Sequence, residues 1–143
     1  MLTVADIMTF CPVTVGRDTP LGEIIGIMKS HACRQLPVVD EGRLIGIITD
    51  RDVRLAMNSP LTMRERAQDQ ALLTGVTAEA CMTANPMTIK SSAPATLAAS
   101  LMKRYKFGAL PVVDDGSLVG IVATSDILSS YIKLLGGEDE DGK

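Results

Sequence analysis

The chain has 143 residues, 46% of them hydrophobic, with 14 Lys and Arg against 17 Asp and Glu, which is enough for a hydrophobic core without disulfide or metal staples. Glu138, Asp139, Glu140 and Asp141 supply four of the acids and Lys143 one of the bases, leaving 13 against 13 elsewhere. A balanced body lacks the net basic surface that displaces counterions from nucleic acid, so nucleic acid is not an expected partner.

Met1 to Asp6 has neither the basic start nor the cleavage pattern of a signal peptide, and no apolar run reaches membrane-spanning length; the expectation is a cytoplasmic protein with no membrane segment. Cys11, Cys33 and Cys81 form no CxxC and have only His31 as a possible co-ligand, so neither a metal site nor a disulfide framework is expected. With no Trp, two Phe and two Tyr, stacking platforms for single-stranded nucleic acid are scarce.

A strand is expected near Pro12-Val13-Thr14-Val15. Thr19 then stands where a helix cap belongs, with Pro20 in the first turn and Leu21, Ile24, Ile25 and Met28 on one helical face, predicting a helix to about His31. Leu36 to Val39 and Arg43 to Ile48 are β-rich runs joined by Asp40-Glu41-Gly42, which predicts a hairpin. Thr49-Asp50 resembles a helix N-cap, and Val53, Leu55, Ala56 and Met57 follow before Asn58-Ser59-Pro60 stops the element. Leu61 to Leu73, rich in Arg, Glu and Gln, predicts a surface linker helix. Leu97, Ala98, Leu101, Met102 and Tyr105 then mark a helix, Leu110 to Val113 and Leu118 to Val122 a second hairpin, and Ile127 to Leu135 a last helix ended by Gly136-Gly137. The acidic residues beyond are expected to be disordered. The eight Met residues fall on apolar faces and read as core filling.

The chain repeats itself. Pro12, Pro37, Gly46 and Asp52 recur as Pro86, Pro111, Gly120 and Asp126, each displaced by 74, so no insertion or deletion separates the copies. Each copy reads β-α-β-β-α and is too small to bury its own apolar face, which predicts an α/β module of two pseudo-twofold repeats packed through their sheets. The expected divisions are 1–58 for the first repeat, 59–76 for the linker, 77–135 for the second repeat and 136–143 for the tail.

The corner between hairpin and last helix carries the chemistry: Gly46-Ile47-Ile48-Thr49-Asp50-Arg51-Asp52 and Gly120-Ile121-Val122-Ala123-Thr124-Ser125-Asp126. Unpaired N–H groups and the helix dipole favour a phosphate there, and a carboxylate three residues on can accept from a ribose diol. Ordinary capping demands the same residue types, and a duplicated cap would also recur. Both readings stand on these residues alone.

The order MTxxPhTh, helix, LPVVDxGxLxGIhxxxD, with h an apolar residue, is present twice; it resembles the cystathionine β-synthase (CBS) domain, and the pair resembles a freestanding Bateman module. Met8-Thr9-Phe10-Cys11-Pro12-Val13-Thr14-Val15 and Met82-Thr83-Ala84-Asn85-Pro86-Met87-Thr88-Ile89 both fit the opening of that pattern. The resemblance implies a regulatory sensor, not an enzyme, that binds an adenosine-containing ligand (AMP, ADP, ATP or S-adenosylmethionine) in the cleft between the repeats and signals to a partner protein by changing the angle between the halves. Carried over by position, one site would combine Thr49, Arg51 and Asp52 with Met87, Phe107 and Gly108, and the other Ser125 and Asp126 with Val13, Cys33 and Arg34. Ile47 and Ile121 would line the base pockets. Arg51 and Arg34 would face phosphates. No catalytic cofactor or metal is implied.

Ala123 departs from the family's pattern, which has Thr or Ser three residues before the carboxylate, as Thr49 provides. A lost hydrogen bond to a charged group costs roughly 1.5–3 kcal/mol, about tenfold to a hundredfold in affinity, so the Asp52 site is expected to be the stronger. Homodimerisation is implied through helices carrying Val53, Met57, Ile127 and Tyr131. The alternative is a ligand-independent protein-interaction module with a vestigial cleft.

Overall fold

The computed structural model describes residues 1–10, 13–57 and 66–138. In chain order the elements are α1 (Val4–Ile7), β1 (Thr9–Phe10), β2 (Val15–Gly16), α2 (Leu21–Ser30), β3 (Gln35–Asp40), β4 (Arg43–Thr49) and α3 (Asp50–Met57), then α4 (Arg66–Gly75), α5 (Ala78–Cys81), β5 (Thr83–Ala84), α6 (Ala95–Tyr105), β6 (Ala109–Asp114), β7 (Ser117–Ala123) and α7 (Thr124–Leu134). The class is mixed α/β, as the sequence pattern predicts.

The hairpins form where the turn residues require. Glu41 and Gly42 have φ of 51° and 80°, and Asp115 and Gly116 have 50° and 81°, the left-handed pair of a two-residue hairpin, which glycine adopts without steric cost. Asp40 pairs with Arg43 and Asp114 with Ser117, and both hairpins shift register at the same place, Val38/Val39 and Val112/Val113.

The chain divides into two compact units, one of Met1–Pro12 with Met87–Lys143 and the other of Val13–Pro86. The folded unit and the sequence repeat are therefore different pieces of chain. In the first unit β1 pairs with β7, and Val4, Ala5 and Ala95 N–H groups donate to Ala93, Ser91 and Leu2 carbonyls. In the second unit β5 pairs with β4, and Ala78, Glu79 and Leu21 donate to Thr19, Arg17 and Val76. Each bond has its counterpart 74 residues away. The segment that opens each copy is built into the sheet and helix of the other.

Each unit has its own core: Val4, Met8, Ile89, Ala98, Met102, Leu110, Val112 and Val122 in one, and Val15, Ile24, Met28, Leu36, Val38, Ile48 and Ala78 in the other. Met8, Met28 and Met102 fill gaps in them, as expected of an unbranched side chain.

Several element ends differ from expectation. Thr19 does not cap α2; its Oγ1 accepts from Gly16 N–H at 3.0 Å, and Pro20 stands at the N-cap without a side-chain bond. A hydroxyl can close the preceding turn as readily as a helix end, and the backbone chose the former. Of the expected linker helix, α4 covers Arg66 onward and runs to Gly75, whereas Leu61 to Glu65, the Asn58-Ser59-Pro60 stop and the tail from Asp139 lie outside the described residues. Gly136 ends α7 as predicted: at φ 81° its N–H donates to Lys133 O while Gly137 N–H donates to Ile132 O, the paired bonds of a Schellman motif.

Sequence divergence shows in the bonds that tie the loop after each first strand to its hairpin. Arg17 bridges Asp40 at 3.2 Å and Glu79 at 3.0 Å. At the equivalent place Ser91 N–H and Oγ donate to the two oxygens of Asp114. Those hydrogen bonds, side chain first and backbone second, hold the Asp114 carboxyl below its ordinary 3.8, because each stabilises the charged form.

Two measurements test this packing. A Cβ on Gly120 would lie 2.6 Å from Thr9 O and 2.7 Å from Met8 Sδ, so Gly120→Ala should lower stability in urea by about 1–3 kcal/mol, whereas Gly26→Ala on α2, where a Cβ meets nothing within 4 Å, should raise it by about 0.5–1 kcal/mol. A depressed carboxyl contributes stability above its unfolded value that is lost as pH falls through the folded value. Ser91→Ala should therefore move the Asp114 carboxyl titration upward in carbon-detected NMR and flatten the stability loss below the ordinary 3.8.

Candidate functional site

At the corner in the second unit, β4 delivers Thr49 to the N-terminus of α3. Asp52 Oδ2 accepts from Thr49 N–H at 2.9 Å and Thr49 Oγ1 accepts from Asp52 N–H at 3.2 Å, a reciprocal capping box with the carboxylate at the third helical position. Asp50 N–H donates to Arg34 O at 2.9 Å, which fastens the Cys33-Arg34 segment against the corner. Ile47 is buried on β4 and Val13 packs at the edge of the core. Arg51 is exposed and, among the described residues, pairs with no carboxylate.

The first unit repeats the arrangement with one group missing. Asp126 Oδ2 accepts from Ala123 N–H at 2.8 Å, but Ala123 carries only a methyl and cannot return the bond, so only the carboxylate half of a capping box exists. Thr124 N–H donates to Gly108 O at 3.0 Å, the counterpart of the Asp50–Arg34 bond. Phe107 stacks on Tyr105 with centroids 5.8 Å apart, and Arg104 lies 5.5 Å above the Tyr105 ring. Met87 and Phe107 are partly exposed, Ile121 is half-buried, Ser125 is exposed, and Asp126 is 7% exposed.

In both units one carboxylate oxygen serves the cap. Among the described residues the other, Oδ1, receives no donor. The capping reading and the acceptor reading are therefore compatible, since a carboxylate offers more lone pairs than one N–H uses.

A family model described as CBS domain matches residues 4–59 and 78–133. The chain belongs to the CBS domain family. A CBS domain-containing protein of Dictyostelium discoideum is 38% identical over 92% of both chains. Among solved structures, CBSX2 in complex with AMP is 26% identical with a TM-score of 0.80, covering 94% of this chain and 99% of that one. The CBS domain pair of protein MJ0100, in complex with 5′-methylthioadenosine and S-adenosyl-L-methionine, is 33% identical with a TM-score of 0.76 over 91% and 99%. No helix among the described residues is long and apolar enough to cross a membrane.

Within one CBS unit the structure brings Cys33 and Arg34 to Thr49, and within the other it brings Phe107 and Gly108 to Ala123. The residues assigned jointly to one ligand, Asp52 with Phe107 or Asp126 with Cys33, belong to different units. Sequence reading passed over Cys81. Burial raises its thiol, the negative charge of Asp52 raises it further, and the side chain packs against the core of the second unit. Its equivalent across the repeat is Ile7, so the signal was a polarizable group where the other copy has a hydrocarbon. Cys33 is likewise raised by burial, as an inert thiol would be.

The cap has a measurable energy. Asp126→Ala should destabilise the protein by about 1 kcal/mol in chemical denaturation, and Asp126→Asn, whose amide oxygen can still accept from Ala123 N–H, should recover most of that loss.

Proposed function

We propose that this CBS pair is a regulatory sensor, not an enzyme, binding an adenosine-containing ligand (AMP, ADP, ATP or S-adenosylmethionine) with residues of both repeats and signalling its level to a partner protein. The observation that carries the reading is the duplicated corner, where a helix N-terminus and a carboxylate with one oxygen left over recur at the same offset. The N–H groups and dipole suit a phosphate, and the spare oxygen suits a ribose hydroxyl. The AMP on CBSX2 and the methylthioadenosine and S-adenosylmethionine on MJ0100 support the ligand class.

In this reading Thr49, Arg51 and Asp52 act with Met87, Phe107 and Gly108, and Ser125 and Asp126 act with Val13, Cys33 and Arg34. Ile47 and Ile121 wall the base. A ligand touching both repeats shifts the population toward the arrangement in which all its contacts are made, and a partner reads that shift. Exposed Leu128 and Tyr131 on α7 favour an accompanying homodimer, since apolar side chains in one patch gain from burial. The same patch supports the second reading, a protein-interaction module with no ligand, which Ala123 also favours.

Isothermal titration with AMP, ATP and S-adenosylmethionine decides between them. At least one should bind, and Asp52→Asn should weaken that binding by about tenfold or more, with Asp126→Asn having the smaller effect. An absence of heat and of any melting shift with all three would leave the interaction module as the function.

A further inference from the structure

Of the cations described in the first unit, Lys90 acts on the Asp114 carboxyl, and Lys133 faces a cavity of 590 Å³ along α7 that Asp6 and Asp126 also line. Lys103, Arg104 and Lys106 have no such counterpart. All three are exposed at the end of α6, and none pairs with a carboxylate among the described residues. Tyr105 and Phe107 stand among them, 44% and 39% exposed and stacked on each other, with Arg104 above the Tyr105 ring. One of the two Tyr and one of the two Phe residues in the chain thus lie within the same short stretch as three positive charges.

The matched stretch in the other copy is Lys29-Ser30-His31-Ala32-Cys33, with one lysine and neither Tyr nor Phe. Lys106 holds the left-handed conformation at φ 62° and Ala32 holds it at 50°, so the turn is common to both copies and the charge is what differs. One cation in the last turn answers the helix dipole, as Lys29 does on α2. Three in four residues repel one another, and with no carboxylate beside them that repulsion is left for a group of opposite sign to relieve. Arginine with exposed aromatic rings is the composition of an interface.

Most acids of the first unit are placed elsewhere. Asp6 accepts from Thr3 and Asp126 from Ala123, while Asp114 and Asp115 stand at the hairpin turn, the far end of β6 from Phe107. What remains is Glu138-Asp139-Glu140-Asp141, four negative charges. Glu138 is exposed and pairs with no cation among the described residues. Thr124 N–H donates to Gly108 O, so α7 begins where α6 has just ended, and its 11 residues carry the chain about 16 Å away. The two helices pack together, and side chains on α6 lean toward its N-terminus, back toward the end at which α7 finishes. Glu138 to Asp141 extend about 14 Å beyond Gly137, and the length of a lysine or arginine side chain covers the rest. Exposed ion pairs are individually weak, so these charges would not hold a second molecule firmly. Tethered within one unit, they meet at an effective concentration on the order of millimolar.

We infer that the acidic segment Glu138–Asp141 folds back onto the Lys103–Phe107 patch of the same chain and covers it, an autoinhibitory strap that an acidic protein segment must displace in order to dock there. The strap needs no bound nucleotide.

Amide NMR at low salt compares the full chain with one ending at Gly137. The expected result is that Arg104 to Gly108 resonate at different positions in the two chains, equally at every protein concentration, and that the spectra converge in about 0.5 M salt, where screening shortens to a few ångströms. A peptide of residues 137–143 should shift the same resonances of the shortened chain with a Kd of about 1 mM and bind the full chain about tenfold more weakly or less. In the full chain carrying Lys103→Gln and Lys106→Gln, the amides of Glu138 to Asp141 should lose their response to salt. Both substitutions are at exposed positions, and melting curves confirm that the variants fold. Coincident low-salt spectra of the two chains overturn the strap. A difference that grows with protein concentration assigns the segment to a second copy and overturns the strap as well, as does a salt response that survives the double substitution.

Discussion

Two strands of only two residues each hold the architecture together, because they close sheet edges that would otherwise stay open. β1 pairs along β7 and β5 along β4, and each comes from the copy opposite to the one whose hairpin it covers. An exposed edge strand is a template for wrong pairing, and covering it with the chain's own opening segment removes that hazard. The same exchange buries Val4 in one core and Ala78 in the other. It also forbids a side chain at the crossing: Gly120 passes so close to Thr9 O that no Cβ fits, and Gly46 stands at the equivalent place against Met82 and Thr83.

The corner after each hairpin depends on this closure. β4 and β7 are held on both sides, so Thr49 and Ala123 arrive at their helices in fixed orientation. The carboxylate three residues on then caps the N-terminus, and the backbone bonds from Asp50 to Arg34 and from Thr124 to Gly108 add a second strand-end to the same spot. What results is a cluster of acceptor and donor groups prepared by structural bonds. Capping and ligand acceptance share one carboxylate, and a group already held by one hydrogen bond loses less freedom when it makes another.

The two corners have diverged within an unchanged backbone. Arg17 with Asp40 and Glu79 on one side, and Ser91 with Asp114 on the other, keep the same loop in place by an ion pair in one copy and hydrogen bonds in the next. Thr49 and Ala123 differ likewise, as do Leu55 and Ser129. Duplication fixed the geometry, and substitution at matched positions gave each corner its own chemistry.

The repeat, the hairpin turns and the capped corners were legible in the sequence because they rest on local rules: left-handed residues at Glu41-Gly42, a helix stop at Gly136, and a carboxylate one turn into a helix. Thr19 was misread, since a hydroxyl that can serve either a cap or a turn carries no local sign of which it will take. The exchange of opening segments was invisible, because hydrogen bonds from Val4 to Ala93 or from Ala78 to Thr19 join residues far apart in the chain and leave no periodicity behind. So was the neighbourhood of Cys81 and the cavity along α7, which exist only once an opening segment has been laid beside the helix it faces. Local preferences, in short range, determined the elements and the type of group at each corner; long-range packing alone decided which stretch of chain completes each sheet and which side chains meet there.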